Sequence, residues 1–344
     1  MNYADVAGMP ALREAISAHL GASRGVRCDA SQVFVTSGTQ SSLELCARTF
    51  ADAGDTAWIE NPGYLGALTA FRAAQLRTVG IPVDASGINP SAVDWHRNKP
   101  KLIYITPSHQ YPTGTVLDMT RRLAMIANAK AAGALIVEDD YDSEFRYEGP
   151  PLPAMQGLSR DAPVIYLGTF SKTMFPALRT GYMVVPLNLV EPLRSVLARM
   201  APHGRVADQL ALADFLRCGQ FGLHLRRMRR LYHSRRDVLL EALQQEIGEF
   251  VTVHGSSAGI HLSLQLREAQ LVDTVIAAAA LDAGVVVRAL SAHATALRPH
   301  GWNGLLLGYS QVHEASIAAN VHILAGVLRA AMTIVGRSQQ GSLV

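Results

Sequence analysis

Short apolar runs alternate with helical patterns up to about Val185 of this 344-residue chain, and this alternation constrains the fold most. Strands that are apolar at successive positions and separated by helices are typical of a mostly parallel sheet with both faces covered. We predict strands at 32–36, 56–60, 76–81, 101–106, 134–138, 164–167 and 181–185. We predict helices at 39–51, 64–74 and 118–132, the last capped by Asp118 and stopped by Gly133.

The pattern changes after Leu187, where long helices predominate. We predict helices at 187–200, 206–218, 222–247, 268–283 and 314–332, and strands at 250–254, 259–266, 285–288 and 305–310. Because single cores stop growing near roughly 250–300 residues, this half predicts a smaller α+β domain beside the large one. We place the large domain at 1–220, the small C-terminal domain at 221–334 and an irregular, flexible tail at 335–344.

The composition favours a soluble cytoplasmic protein. A formal net charge of +3 gives no strong case for nucleic-acid binding. Cys28, Cys46 and Cys218 are odd in number and widely spaced, so they predict neither a disulfide framework nor a metal site and suit a reducing compartment. The N-terminus lacks a signal-peptide pattern, and the longest apolar run, near 275–281, is far shorter than the ~18–20 residues of a membrane span.

Lys172, one of four lysines beside 27 arginines, lies in the run GTFSKTMFPALR after a predicted strand. Its amine suits imine formation with a phosphorylated aldehyde, because a nucleophilic lysine is held in a desolvated or cation-rich pocket. The hydroxyls of Thr169 and Ser171 and the planar fork of Arg179 can bind a phosphate. The alternative is a surface lysine that follows a strand.

Two turns earlier in the chain suggest further contacts with such a ligand. Gly38 and Thr39, in TSGTQ, begin a predicted helix whose backbone N–H groups can bind an anion, although an ordinary helix cap has the same pattern. Tyr64 follows the Pro62-Gly63 turn and can present a flat face to a heteroaromatic ring. A half-buried core tyrosine is the alternative there.

Two polar segments follow predicted strands of the sheet. The loop TPSHQYPTG, with His109, leaves the carboxyl end of a strand, where open α/β sheets bind ligands; a hydrogen-bonded structural histidine is the alternative. In VEDDYDSEF, the like charges of Glu138, Asp139 and Asp140 raise each other's pKa unless they are compensated. A protonated ring nitrogen would compensate one of them. A metal site is the rival interpretation, but no histidine lies at ligand spacing.

Together these motifs resemble those of the fold-type-I pyridoxal-phosphate enzymes of the class I/II aminotransferase family. They are most similar to the aminotransferase-like domain of the MocR group of GntR-type bacterial regulators. Phrases typical of that group are TPSHQYPTG, EDDYDSEFRY, GTFSKTMFPALRTGY, YADVAGMPALREAI and LRRMRRLYHSRRD. The resemblance extends from about Tyr3 to Ala330.

The resemblance implies a role for each matching residue. Lys172 would form the aldimine and move the Cα proton, and Asp139 would keep the pyridine nitrogen protonated. Tyr64 would stack on the ring, and Tyr141 would hydrogen-bond its phenolic oxygen. The other edge of the ring would be lined by His109 and Tyr111. The phosphate would be held by Gly38, Thr39, Thr169, Ser171 and Arg179.

The chain departs from the family pattern where the substrate carboxylate should bind. Class I enzymes place an arginine in the last strand, and the matching position here is Leu306. Arg288 resembles an arginine of the MocR group and is our candidate for the substrate clamp, with Arg298 as a second; a solvent-facing charge is the alternative. Ala289 and the pair His293-Ala294 replace a proline and two aromatic residues of the group, which puts the pocket in question.

The group also carries a winged helix-turn-helix upstream, whereas this chain begins at the first shared motif. We therefore expect either a free-standing enzyme or a piece of a regulator, and no operator binding by this chain. The arginines at 226–236 predict a solvated, partly salt-bridged helix rather than a nucleic-acid surface.

The sequence thus predicts a cytoplasmic pyridoxal-phosphate aminotransferase that moves an amino group from an L-amino acid to a 2-oxo acid. The alternatives are an effector-sensing domain of a MocR-type regulator and another pyridoxal-phosphate reaction on an amino acid, since the fold does not choose among them. The resemblance further implies a homodimer with residues donated across the subunit boundary.

Overall fold

The computed structural model describes residues 5–200, 205–295 and 302–341, within which lie twelve strands and eleven α-helices. The strands are β1 (Val33–Thr36), β2 (Thr56–Asn61), β3 (Arg77–Asp84), β4 (Gly87–Ile88), β5 (Leu102–Ile105), β6 (Leu135–Asp140), β7 (Val164–Thr169), β8 (Gly181–Val184), β9 (Val251–His254), β10 (His261–Leu266), β11 (Arg288–Ala289) and β12 (Gly304–Gly308). The helices are α1 (Pro10–Arg24), α2 (Thr39–Phe50), α3 (Leu65–Ala73), α4 (Met119–Ala132), α5 (Met155–Leu158), α6 (Phe170–Thr173), α7 (Leu187–Arg199), α8 (Val206–Arg217), α9 (Gln220–Ile247), α10 (Asp273–Asp282) and α11 (Glu314–Gly341).

The large sheet has the order β1-β8-β7-β6-β5-β2-β3-β4. Strands β7, β6, β5, β2 and β3 pair in parallel, and β8 runs antiparallel to both of its neighbours, so β1 again points the same way as β7. The predicted mostly parallel sheet is confirmed. Its carboxyl ends therefore meet at one edge, which gathers the segments that follow β1, β5, β6 and β7.

Helices cover both faces of this sheet. In β7, Ile165 and Leu167 pack on one face with residues of α2, α3 and α7, whereas Tyr166 packs on the other face with residues of α1, α8 and α9. Because alternate side chains of a strand point to opposite faces, a strand covered on both sides must be apolar at nearly every position. This burial explains the continuous apolar runs in the sequence.

The small domain is built on an antiparallel sheet of order β11-β12-β10-β9. Its core joins the later part of α9 to α10 and α11 through residues such as Leu243, Leu262, Ile276 and Leu324. By length and composition α11 could also cross a membrane, a test that the core helix of a soluble protein passes too. In this structure its residues Ile317, Val321 and Leu324 are buried in the small-domain core.

Three parts of the prediction differ from the structure. The strand predicted at 285–288 begins only at Arg288, and the helix predicted from 268 begins at Asp273. The irregular tail predicted from Val335 is wrong for 335–341, because α11 continues to Gly341. The sequence pattern did not predict α1, which packs against α8.

The last residue of α1 ties that helix to the carboxyl edge of the large sheet. Arg24 is buried, and its Nε donates to Asp140 Oδ2 at 2.7 Å. Its Nη2 donates to Ser108 Oγ at 2.7 Å, and its Nη1 donates to the carbonyl of Leu152. A buried ion pair of this kind is costly to break, because the remaining partner keeps an uncompensated charge.

We expect the Arg24→Met substitution to destabilise the protein by about 3–5 kcal/mol, since it leaves the Asp140 carboxylate buried without its cation. Urea unfolding followed by circular dichroism measures the change. The matched control is Lys130→Met, which removes an ion pair with Asp161 whose side chains are both exposed, and which should leave the midpoint unchanged. Equal midpoints for Arg24→Met and the wild type would contradict the prediction.

Candidate active site

The three consecutive carboxylates at the end of β6 have different partners. Glu138 accepts two backbone N–H groups at the start of α5, at 2.8 and 3.0 Å. Asp140 accepts from Arg24 and, at 2.6 Å, from the hydroxyl of Tyr166. These two carboxylates therefore hold the fold together, and Asp139 is the one that points elsewhere, because neighbouring strand residues alternate between faces.

Asp139 keeps one oxygen for a ligand. Its Oδ2 accepts from the hydroxyl of Tyr104 at 2.8 Å, whereas its buried Oδ1 has no hydrogen-bond partner among the described residues. Burial raises the pKa of Asp139 to about 7, although the Tyr104 hydrogen bond acts in the opposite direction. Asp140 Oδ1 also lacks a partner, but that carboxylate is already neutralised by Arg24. An unpaired buried acceptor calls for a partner such as a ligand N–H.

Lys172 lies at the same edge of the sheet. It follows β7, the strand that pairs with β6 so that Asp139 is opposite Leu167. Its side chain is exposed, and its positive charge acts to lower the pKa of both Asp139 and His261. The structure thus brings the predicted amine and the predicted carboxylate to one site.

An anion cradle lies beside them, where α2 begins. Gly38 has a φ of 98°, and a Cβ placed on it would lie 3.9 Å from Arg179 Cζ, so glycine and guanidinium are close neighbours. A Cβ on Gly181 would lie only 2.9 Å from Gly38 Cα. The amides of the first helical turn, beginning at Thr39, have no acceptor within the helix. Together with Arg179 they form a binding site for a phosphate.

Two further predicted phosphate ligands lie at the start of α6. Thr169 is buried, and its Oγ1 accepts the backbone N–H of Ser171 at 3.2 Å. The Thr169 hydroxyl therefore caps the short helix with its lone pair and keeps its proton for another acceptor. Ser171 is half-buried beside Lys172.

Aromatic rings surround the space between Asp139 and the small domain. The ring of Tyr64 lies 6.4 Å from that of Tyr104 and 5.8 Å from that of Tyr111. Burial raises the pKa of Tyr64, Asp139 adds to the rise, and Arg179 opposes it, which puts this phenol between the carboxylate and the cradle. Tyr64 is half-buried, so one of its faces is available to a planar ligand.

His109 and Tyr141 form a hydrogen-bonded pair behind this space. The Tyr141 hydroxyl donates to the His109 carbonyl at 2.9 Å, and burial raises the pKa of Tyr141 well above its usual range. His109 is buried, with Nδ1 2.9 Å from Asp142 Oδ2. His109 is thus a hydrogen-bonded, buried histidine, the alternative that the sequence left open.

The candidate substrate clamp lies beside the position at which class I enzymes carry their arginine. Arg288 is paired with Leu306 across β11 and β12, and directly opposed residues of antiparallel strands project from the same face. The Arg288 side chain is exposed but hydrogen-bonded to Tyr111, whose pKa burial raises and this contact lowers. Burial, and then Arg288, lower the pKa of His293 to about 4. Arg298 lies outside the described residues.

Several residues of the site were not predicted. Tyr104, Asp142 and His261 line or support it, and Arg24 neutralises one of its carboxylates. Tyr104 offered a signal, since a buried tyrosine hydroxyl in an apolar strand needs a hydrogen-bond partner. The others gave none, because their partners lie far away along the chain.

Comparison with known proteins identifies the family. The family model "Aminotransferase class I and II" matches residues 1–301, and the chain belongs to this family. It is 40% identical over 322 residues to the probable rhizopine catabolism regulatory protein MocR of Rhizobium meliloti, covering 94% of this chain but only 64% of that protein. It is 27% identical to 2-aminoadipate transaminase of Thermus thermophilus, over 97% of this chain and 83% of that enzyme.

Solved structures show the same architecture. Kynurenine aminotransferase of Pyrococcus horikoshii, in complex with PMP and kynurenine, superposes with a TM-score of 0.87 at 28% identity, over 96% of this chain and 82% of that one. LysN, the α-aminoadipate aminotransferase of Thermus thermophilus complexed with N-(5'-phosphopyridoxyl)-L-leucine, gives 0.86 at 27% identity, over 97% and 84%. The fold is therefore that of the fold-type-I aminotransferases, as the motifs predicted.

The high pKa of Asp139 predicts a pH-dependent stability for the protein without ligand. An aspartate ionises near pH 3.9 in an unfolded chain but near 7 here, so the folded state binds more protons between these values and stability falls as pH rises. We expect Asp139→Asn to make this fall shallower by up to about 1.4 kcal/mol per pH unit in urea titrations from pH 4.5 to 7. The exposed Asp282→Asn is the control and should keep the wild-type slope. A wild-type slope in Asp139→Asn would show that Asp139 ionises normally.

Proposed function

We propose that this protein binds pyridoxal 5'-phosphate and transfers an amino group between an L-amino acid and a 2-oxo acid. The observation that carries the proposal is the buried Oδ1 of Asp139, which has no partner among the described residues and lies at the sheet edge near Lys172. A protonated pyridine nitrogen is a donor that suits this oxygen, because opposite charge favours the ionised carboxylate against the cost of burial.

The phosphate of the cofactor suits the cradle at the start of α2. Backbone N–H groups after Gly38 and the guanidinium of Arg179 would donate to its oxygens. The hydroxyls of Thr39, Thr169 and Ser171 would add neutral donors. This division places the charged end of the ligand at the helix start, about one ring width from the carboxylate that would hold its nitrogen.

The chain's own groups would then divide the work of the reaction. Bound pyridoxal phosphate supplies an electron sink for negative charge at the substrate Cα. Lys172 would hold the cofactor through its amine and, once an amino acid replaces it, would carry the proton to and from Cα. Tyr64 would cover one face of the ring, and Arg288 would bind the substrate carboxylate as a planar fork.

An effector-sensing domain is the second candidate, and the regulators among the relatives support it. The chain spans 64% of the MocR protein that it matches, so that protein's regulatory role reaches this chain only as a proposal. The pocket favours this candidate as well, because Leu306 and His293 stand where the family carries an arginine and an aromatic residue. A sensor would exchange its ligand without producing an oxo acid.

Two statements about partners remain proposals. Phe175, three residues after Lys172, and Leu65, next to Tyr64, are 51% and 39% exposed, and large exposed apolar side chains beside a site suit a homodimer interface. Light scattering on the purified protein should then give twice the chain mass of 37.0 kDa.

We also propose that the arginine-rich part of α9 is a structural surface rather than a nucleic-acid site. Arg229 donates to the Glu144 carbonyl at 2.9 Å, and Arg236 donates to Glu148 at 3.0 Å. Arginines that fasten a helix to its own protein are not available to bind phosphates of another molecule.

Covalent trapping tests the cofactor. Incubation with pyridoxal phosphate followed by borohydride reduction and peptide mapping should label Lys172, because reduction fixes an imine to its amine. Lys172→Ala should yield no label. Lys130→Ala, which removes an exposed lysine of α4, should label like the wild type. Label on another lysine, or a protein that takes up no cofactor, would reject the assignment.

Multiple turnover separates the enzyme from the sensor. With a panel of L-amino acids and 2-oxoglutarate, an enzyme produces many equivalents of oxo acid per chain. We expect Arg288→Met to lower kcat/KM about 10- to 100-fold, as for loss of charge-assisted hydrogen bonds worth about 1.5–3 kcal/mol. Arg267→Met, at an exposed arginine of the same domain, should have no effect. Spectral change without oxo-acid accumulation would favour the sensor.

A further inference from the structure

The imidazole of His109 is enclosed by three glycines from both domains. A Cβ placed on Gly114 would lie 3.2 Å from His109 Nε2, one on Gly255 would lie 3.1 Å from the same atom, and one on Gly259 would lie 2.1 Å from Cε1. All three glycines have φ between 73° and 83°. Gly114 belongs to the large domain, whereas Gly255 and Gly259 lie in the loop between β9 and β10 of the small domain. The ring is therefore clamped where the two domains meet.

The hydrogen bonds fix one tautomer of this ring. Nδ1 lies 2.9 Å from Asp142 Oδ2, and both side chains are 1% exposed. A carboxylate only accepts, so Nδ1 carries the proton. Nε2 is buried without a hydrogen-bond partner among the described residues and faces glycine Cα atoms, which suits a bare lone pair better than an N–H.

The same histidine holds the hydroxyl of Tyr141. This hydroxyl donates to the His109 carbonyl at 2.9 Å and lies 3.2 Å from Nδ1. Asp142 also acts on Tyr141 directly, since its charge adds to the rise in the Tyr141 pKa that burial causes. A displacement of His109 would therefore move the Tyr141 proton and change its electrostatic surroundings.

The small-domain loop cannot move without carrying this histidine. The Gly259 N–H donates to the Phe145 carbonyl at 2.8 Å, and the Tyr147 N–H donates to the Ser257 carbonyl at 3.0 Å. Tyr309 of the small domain donates to the Gly259 carbonyl at 2.7 Å. The loop is thus fastened to the segment that follows β6, directly behind Tyr141.

We propose that His109 and Asp142 are positioning residues through which the seating of the small domain sets the hydroxyl of Tyr141. For its effect on a bound cofactor this inference rests on the proposed function. For the clamp itself it rests only on contacts between residues of this chain. It gives a sensor or an enzyme a physical route by which closure of the small domain alters the cofactor ring.

A buried metal site is the competing interpretation. His109, Asp142 and His261 each offer a ligand atom, and these atoms lie within 4.8 Å of one another. Two histidines and a carboxylate suit several divalent transition metals. The His109–Asp142 hydrogen bond and the glycines packed at Nε2 favour the clamp, and metal analysis distinguishes the two.

The test compares two glycines of the small domain. Gly255→Ala adds a methyl group against His109, whereas Gly284→Ala, at a φ of 89°, adds one where no other atom lies within 4 Å. Both variants bear the strain of a left-handed alanine, so only contact with the imidazole separates them. Asp142→Asn is the conservative second variant, and it removes the charge while keeping the shape.

Two readouts follow, one of them independent of the cofactor. In ¹⁵N-histidine NMR of the cofactor-free protein, a slowly exchanging Nδ1 proton should be present in the wild type and Gly284→Ala, and shifted or lost in Gly255→Ala and Asp142→Asn. In the protein loaded with pyridoxal phosphate, the pH midpoint of the cofactor absorbance should move by about half a pH unit or more in Gly255→Ala and Asp142→Asn, the size expected for one altered hydrogen bond. Gly284→Ala should keep the wild-type midpoint.

The outcomes separate this inference from the proposed function. If the NMR signal responds as expected but the wild type takes up no cofactor, the proposed function fails and the clamp stands. If Gly255→Ala and Asp142→Asn leave both readouts unchanged, or if Gly284→Ala alters them equally, the clamp is wrong. A stoichiometric zinc content that disappears in His261→Ala would also overturn it in favour of a metal site.

Discussion

The site depends on how the buried carboxylates at the end of β6 are compensated. Moving a charge out of water is costly unless a cation or hydrogen bonds replace the solvent. Glu138 is satisfied by the start of α5, and Asp140 is satisfied by Arg24 at the end of α1. These contacts fasten two helices to the sheet edge. They leave Asp139 as the carboxylate whose free oxygen can take a ligand, so the compensation that stabilises the fold also defines the site.

The parallel order of the large sheet brings the other groups to this carboxylate. The carboxyl ends of β1, β5, β6 and β7 meet at one edge, and the cradle at Gly38, the His109 loop and Lys172 follow three of those strands. The small domain closes the opposite side with Arg288 and with the loop that encloses His109. Phosphate-binding, ring-binding and carboxylate-binding groups thus lie around one space, with each domain supplying some of them.

Local signals predicted much of this arrangement. Helix α4 begins and ends as predicted, because Asp118 caps it through the Arg121 N–H and Gly133 ends it in a left-handed conformation. The end of α11 was wrong, since packing of the small domain continues a helix beyond its periodic pattern. Tyr104 and Asp142 were missed as supporting residues because their partners, Asp139 and His109, lie 35 and 33 residues away in the chain.

The sequence by itself determined the class of fold and the chemical types at the site. Both follow from short-range rules: the period of apolar residues, the residues that cap helices, and the kinds of side chain that bind a phosphate or hold an amine. Only the tertiary structure decided which of three adjacent carboxylates stays unpaired, that Arg288 stands opposite Leu306, and that His109 is enclosed by both domains. These facts depend on contacts through space between distant segments, and no local pattern contains them.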